Sequence, residues 1–260
     1  MSNSPVAVGE VGFDPRGHVP QPAELEGRVI AITGASDGIG RAVAQACAVH
    51  GATVILVGRN QRKLEAACEQ IERERPASTT VAVLDLERAL AGDYDRLAGA
   101  VLERFGRLDG LLHNAGILGT LTPIEHYDVP TWCRVLHVNL TAAFALTQVL
   151  LPALKRSADA AILYTSSGVG RRGKAYWGAY AVSKFGLEGL AQVLSGELSD
   201  ITAIRVNTLN PGPTRTRMRA QAYPAENPAK LRAADSLTAP YLALLGPASR
   251  GVSGGSFDAQ

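Results

Sequence analysis

Aromatic residues are scarce. Phe, Trp and Tyr together make up 5% of the chain, which leaves Ala, Val and Leu to build most of a core. A strong charge of either sign is also missing. The formal net charge is +2, too small to argue for nucleic acid or an acidic membrane as a partner. The three cysteines, Cys47, Cys68 and Cys133, are widely spaced and match no metal-ligand pattern. An odd number fits reduced thiols of the cytosol better than a disulfide framework. No unbroken apolar run reaches the ~18 residues of a membrane span. The nearest, residues 142–154, contains Thr147, Gln148 and Pro152. Residues 1–22 hold four prolines and several glycines, but no apolar stretch of signal-peptide length. Residues 1–24 therefore read as a flexible arm, and no repeat or linker divides residues 25–260. These absences point to a soluble, cytoplasmic chain with one domain and no metal.

What is present alternates. Short apolar runs at 28–32, 53–57, 80–84, 110–113, 160–165 and 203–209 read as strands, with 254–257 as a seventh. Helical spacing fills the gaps at 38–50, 60–75, 93–105, 131–155 and 180–198. Such alternation predicts an α/β fold, a doubly wound parallel sheet of about seven strands with helices on both faces. Residues 214–236 look irregular and follow a strand end, where loops border the ligand crevice of such folds, so they are a candidate lid.

The first strand runs into Thr33-Gly34-Ala35-Ser36-Asp37-Gly38-Ile39-Gly40. Glycines at a strand-to-helix turn let the backbone approach a ligand, and the helix they open offers free N–H groups to a pyrophosphate. The second strand ends in Gly58-Arg59-Asn60, with no acid to hold a ribose 2′-hydroxyl. Arg59 instead suits a 2′-phosphate, which favours NADP over NAD. Asp85, after the third strand, could bond an adenine amino group or cap the next turn.

Tyr180 and Lys184 stand four apart, so one helical face carries both. An ammonium beside a phenol would favour the phenolate and tune the tyrosine toward proton transfer. An ordinary amphipathic helix would present the same pair. Ser167 lies far enough upstream to fold back toward the phenol.

Taken together, these motifs resemble the short-chain dehydrogenase/reductase family, over nearly the whole chain after residue 25. Thr33–Gly40 resembles the family's Thr-Gly-x-x-x-Gly-x-Gly. His113-Asn114-Ala115-Gly116 is similar to its Asn-Asn-Ala-Gly, with His for the first Asn. Asn139 falls at the family's helix asparagine, and Asn210-Pro211-Gly212 with Thr216 at its Pro-Gly-x-x-x-Thr. Within the family, the chain looks like a bacterial branch similar to 3-oxoacyl-(acyl-carrier-protein) reductase.

The resemblance implies a Rossmann-like fold and a catalytic set of Asn139, Ser167, Tyr180 and Lys184. Tyr180 would be the general acid or base, and Ser167 would bond the substrate oxygen. Lys184 would lower the Tyr180 pKa and hold the nicotinamide ribose, while Asn139 would hold a water leading to Lys184. Cofactor contacts are implied for Gly34, Ser36, Asp37, Gly38, Ile39, Gly40, Arg59, Asp85, Leu86, Asn114, Ala115 and Gly116. Tyr180, Lys184, Pro211, Gly212, Thr214 and Thr216 complete that set. The resemblance also selects Ser167 over Ser166 and Tyr180 over Tyr176. It gives His113 a structural role in place of the family's Asn.

The expected substrate is a small carbonyl or alcohol, with an acyl thioester as one candidate. Arg171, Arg172 and Lys174 precede the catalytic helix, and Arg215, Arg217 and Arg219 follow the sixth strand. They could attract an anionic substrate or carrier, or be solvated charges. A homodimer or homotetramer is implied, packed through residues 131–155 and 180–198. The alternative function is a catalytically silent NADP-binding sensor of the same fold.

Overall fold

The computed structural model describes residues 12–260. Strands β1 (Val29–Thr33), β2 (Thr53–Gly58), β3 (Thr79–Val83) and β4 (Gly110–His113) alternate with helices α1 (Gly38–Val49), α2 (Gln61–Glu74) and α3 (Ala91–Phe105). There follow α4 (Val129–Leu136), α5 (Ala142–Leu154), β5 (Ala161–Thr165), α6 (Gly178–Leu198) and β6 (Arg205–Asn210). The chain closes with β7 (Thr214–Arg215), α7 (Arg217–Ala222), β8 (Arg232–Ala233), α8 (Thr238–Leu245) and β9 (Ser256–Asp258).

Seven strands form one parallel sheet in the order β3-β2-β1-β4-β5-β6-β9. The order reverses between β1 and β4, and ligands of such sheets bind at the carboxyl ends beside that switch. All five residues of β1 and of β5 are buried, as a parallel strand covered on both faces requires. One face is covered by α1, α2 and α8 through Val43, Cys47, Leu64, Tyr241 and Leu244. The other is covered by α3, α5 and α6 through Val101, Leu146, Leu150 and Leu187. Each such aliphatic side chain contributes roughly 1.5–3 kcal/mol on full burial. At the opposite end of the strands, Asp159 bridges Arg28 at 3.1 Å and Arg205 at 3.1 Å, closing the sheet's floor away from the crevice.

Four features depart from the sequence reading. The long helix expected at 131–155 is α4 and α5 joined by a π-helical turn, His137–Thr141. Side-chain periodicity cannot show a π turn, because it shifts the register by one residue without breaking the helix. Second, Val129–Leu154 is long and apolar enough, by length and composition, to cross a membrane, with mean hydropathy 1.5. Scattered polar residues hid this from a search for unbroken runs. The fold uses the apolar face otherwise, burying Ala142, Leu146, Leu150 and Leu154 on the sheet. Third, residues 214–236 are ordered: β7 and β8 pair, and Thr216 caps α7 through Arg219 N–H at 3.1 Å. Fourth, the arm expected at 1–24 is docked in its second half, where Pro15 is buried and Phe13 meets Phe257 edge-on at 6.0 Å. Residues 1–11 of that arm lie outside the described residues.

Candidate active site

The glycine loop after β1 turns on Gly34, whose φ is +68°. A Cβ there would press on Ala115 Cα and Asn114 Nδ2, both 3.0 Å away, so the loop and the β4 end can approach only because the residue is glycine. Thr33 ties the two together. Its hydroxyl accepts the backbone N–H groups of Asn114 at 3.0 Å and Ala115 at 3.1 Å. Asp37 caps α1, its carboxylate accepting Gly38 N–H at 2.8 Å.

Between β1, β2, β3 and β4 lies a groove of about 160 Å³, lined by Gly34, Ser36, Arg59, Asp85, Leu86, Ala115 and Gly116 among others. All seven belong to the expected cofactor set. A neighbouring open pocket of about 330 Å³ brings Asp37, Gly38 and Thr216 together with Arg41, Arg215 and Arg217. Ile39, Gly40 and Asn114 line neither; Asn114 instead braces the loop, its Nδ2 donating to Thr33 O at 3.3 Å. Gly212 and Thr214 are held locally, Thr214 Oγ1 donating to Gly212 O at 3.1 Å. The side chain of Gln260 donates to Pro211 O.

At the outer corner of the groove, Arg59 is 63% exposed with Glu87 at 3.5 Å, and Lys63 lies 3.7 Å from Asp37. Exposed pairs of this kind are worth ~0–1 kcal/mol, so either cation can turn to a phosphate at little cost. Asp85 lines the groove and accepts Glu87 N–H at 3.1 Å, which is the capping role read from the sequence.

Ser167, Tyr180 and Lys184 meet where β5 ends and α6 begins. Lys184 is buried, and its Nζ donates to Thr165 O at 2.7 Å, two residues before Ser167. Its ammonium sits 5.6 Å from the Tyr180 ring centroid. Gly170 keeps this contact open, because a Cβ there would lie 2.7 Å from Lys184 Cβ. Burial pushes the Tyr180 phenol up to about 12, with the Ser167 hydroxyl opposing. The expectation that Lys184 lowers the Tyr180 pKa is therefore not met in this geometry. The lysine bonds a carbonyl rather than the phenolic oxygen, and desolvation dominates. Lys184 itself is drawn down to about 8 by burial, with Glu188 opposing.

Asn139 sits in the π turn. Its Oδ1 accepts Ile117 N–H at 2.8 Å, and its Nδ2 donates to Ile117 O and Ser183 Oγ, each at 3.0 Å. The side chain thus clamps the loop after β4 to α6, and its hydrogen bonds go to Ile117 and Ser183 rather than to Lys184. His113 is away from the site. It is buried, stacks on Tyr164 at 4.8 Å, and meets Thr147 Oγ1 through Nε2 at 2.8 Å. Tyr176, at φ +73°, is 61% exposed, whereas Trp177 packs on Tyr180 at 5.6 Å.

Sequence reasoning missed Glu188. It is buried one helical turn beyond Lys184, on the same face. Its carboxylate accepts the hydroxyls of Ser166, of Thr208 at 2.7 Å and of Ser256 at 2.8 Å, and it pairs with Arg171 at 3.2 Å. It thereby ties α6 to the ends of β5, β6 and β9. The signal was present, since Tyr180, Lys184 and Glu188 continue one i, i+4 stripe. The basic residues divide accordingly. Arg171 is taken by Glu188 and Asp258, and Arg219 by Glu226.

The family model for short chain dehydrogenases matches residues 28–227. The chain belongs to the short-chain dehydrogenase/reductase family. This family membership makes it an oxidoreductase acting on alcohol or carbonyl groups. The oxidoreductase YciK of Escherichia coli is 46% identical over 91% of this chain and 93% of its own. A short-chain dehydrogenase structure from Pseudomonas syringae is 50% identical, covers 95% of this chain and 99% of its own, and superimposes with a TM-score of 0.93. A short-chain dehydrogenase from Shigella flexneri, solved in complex with NADP, is 45% identical over 92% of this chain and 100% of its own, with a TM-score of 0.90.

Proposed function

We propose that this protein is an NADP(H)-dependent oxidoreductase that moves a hydride between the nicotinamide and a carbonyl or alcohol carbon, with Tyr180 as the general acid or base. The meeting of Ser167, Tyr180 and Lys184 at the carboxyl end of β5, in a sheet whose β1–β4 carboxyl ends form a glycine-walled groove, carries this reading. The groove suits a dinucleotide: Gly34 allows the close approach, and Arg59 stands where an acid would disfavour a 2′-phosphate. The NADP complex of the Shigella flexneri relative supports the same choice.

Bound NADPH would supply the hydride. In the reductive direction, Ser167 donates a hydrogen bond to the carbonyl oxygen and steadies its developing charge. The Tyr180 hydroxyl delivers the proton that turns this oxygen into an alcohol. Lys184, charged below about pH 8, offsets the phenolate that forms. Asn139 fixes the loop after β4 against α6, the helix that carries Tyr180 and Lys184. The test is NADPH oxidation with a panel of ketones, diones and 3-oxoacyl thioesters, run beside NADH. Consumption that requires a carbonyl and prefers NADPH supports the reading. NADPH binding with no turnover of any carbonyl refutes it.

The same reading makes the protein a cytoplasmic homodimer or homotetramer. Phe144 on α5 and Val182, Phe185 and Val193 on α6 are between 45% and 60% exposed, an apolar surface of the kind that pairs with a second copy.

A further inference from the structure

Tyr180 does not open to bulk solvent. It is 9% exposed, as is Trp177, and the two lie in a cluster with Leu118. Leu121, Val169, Met218 and Tyr223 pack against that cluster from the loop after β4, the loop after β5 and the lid helix α7. Thus the side chains packed around Tyr180 and Trp177 come from three separate segments, and nearly all of them are apolar. The lid is set firmly. Arg219 holds Glu226 through two 2.6 Å bonds and lays its guanidinium over the Tyr223 ring at 3.9 Å. Tyr223 in turn meets Trp177 at 5.8 Å.

One cation joins this wall. Lys174 stands at the exposed rim, its Nζ 5.1 Å from the Tyr223 centroid and 5.8 Å from the Trp177 centroid, donating to Tyr223 Oη at 2.7 Å. Its partners are all neutral. The neighbouring cations Arg171 and Arg219 already hold carboxylates, whereas Lys174 has no ion pair among the described residues. An ammonium held by aromatic faces and one phenol keeps most of its charge available to an incoming anion.

We propose that the substrate is a carbonyl compound with an apolar body bearing one carboxylate or similar anion, and that Lys174 is the residue that reads that anion. The apolar wall covers the body, and the carbonyl reaches Ser167 and Tyr180. A polyhydroxylated carbonyl fits poorly, because its hydroxyls would be stripped of water against Leu118, Met218 and Trp177 with few partners. The inference deepens the hydride-transfer reading and rests on it for the chemistry, but not for binding.

Three probes separate the possibilities: acetophenone, 4-acetylbenzoate and dihydroxyacetone, each assayed for kcat/KM with NADPH. The expected order places 4-acetylbenzoate about tenfold above acetophenone, with dihydroxyacetone last. Lys174→Met should bring the ratio of the two aryl ketones to about one, and Lys174→Arg should restore it. Dihydroxyacetone as the best probe overturns the proposal, as does Lys174→Met lowering both aryl ketones with their ratio kept, the signature of a lid latch only. Binding is read separately, by quenching of Trp177 fluorescence by 4-acetylbenzoate in a Trp132→Phe background with NADP+ present. Quenching that weakens about tenfold in Lys174→Met upholds the inference even without turnover, the case in which hydride transfer itself fails. Quenching that Lys174→Met leaves unchanged overturns it.

Discussion

His113→Asn should exchange neutral-pH stability for acid resistance. His113 is enclosed between β4, Tyr164 and α5, and burial holds its pKa down at about 3. Thr147 Oγ1 donates to Ala143 O at 2.8 Å, so the 2.8 Å contact with His113 is made by a neutral imidazole whose Nε2–H donates. In the unfolded chain the ring titrates near ~6.5. Between these two values the unfolded state binds the extra proton, so stability falls as pH drops from about 6.5 toward about 3. Each pH unit in that window costs roughly 1.4 kcal/mol, which amounts to ~2–3 kcal/mol at about pH 4.5. Asparagine does not titrate, and its shorter side chain gives up the Nε2 bond to Thr147, a loss of ~0.5–1.5 kcal/mol. It loses the stacking on Tyr164, worth ~0.5–1.5 kcal/mol. Urea unfolding should therefore show the variant about 2 kcal/mol weaker near pH ~7.5, a deficit that closes or reverses near pH ~4.5. A difference between the two proteins that does not change with pH would refute the reasoning.

Two further outcomes follow from the site. Arg59→Ala should raise the KM for NADPH roughly tenfold and leave that for NADH unchanged, since a charge-assisted bond to phosphate at an exposed position is worth about 1–2 kcal/mol. Equal loss for both cofactors in steady-state kinetics would remove Arg59 from the 2′-phosphate site. Glu188→Gln keeps the shape of the network but removes the charge that supports the Lys184 ammonium. The alkaline limb of the kcat profile, expected near about pH 8, should then move to lower pH. A variant slower at every pH with the limb unmoved would show that Glu188 only braces the strands.

Much of the fold was legible because parallel strands buried on both faces leave continuous apolar runs, and six of the seven stood out this way. The last, Ser256–Asp258, is short and polar at both ends, and its placement depends on Thr208 and Glu188 rather than on its own pattern. The π turn carrying Asn139 was not legible because a one-residue shift of register is lost in a helix as apolar as this one, and the order of residues 214–236 was not legible because it rests on the pairing of β7 with β8. Resemblance singled out Ser167, Tyr180 and Lys184, and the fold brings these three side chains together. It did not reveal that Lys184 bonds Thr165 O, that burial raises the phenol, or that two of the six basic residues around the mouth, Arg171 and Arg219, are held by carboxylates. Those depend on contacts distant in sequence, such as Arg171 with Asp258 and Arg219 packed on Tyr223.

The central claim is that Tyr180 transfers the proton. It is tested most directly by single-turnover NADPH oxidation in Tyr180→Phe on a carbonyl the parent protein reduces, with NADPH affinity measured on the same sample. The account predicts unchanged affinity and a rate lower by about 10²–10⁴-fold. Near-parental turnover in the variant would contradict it.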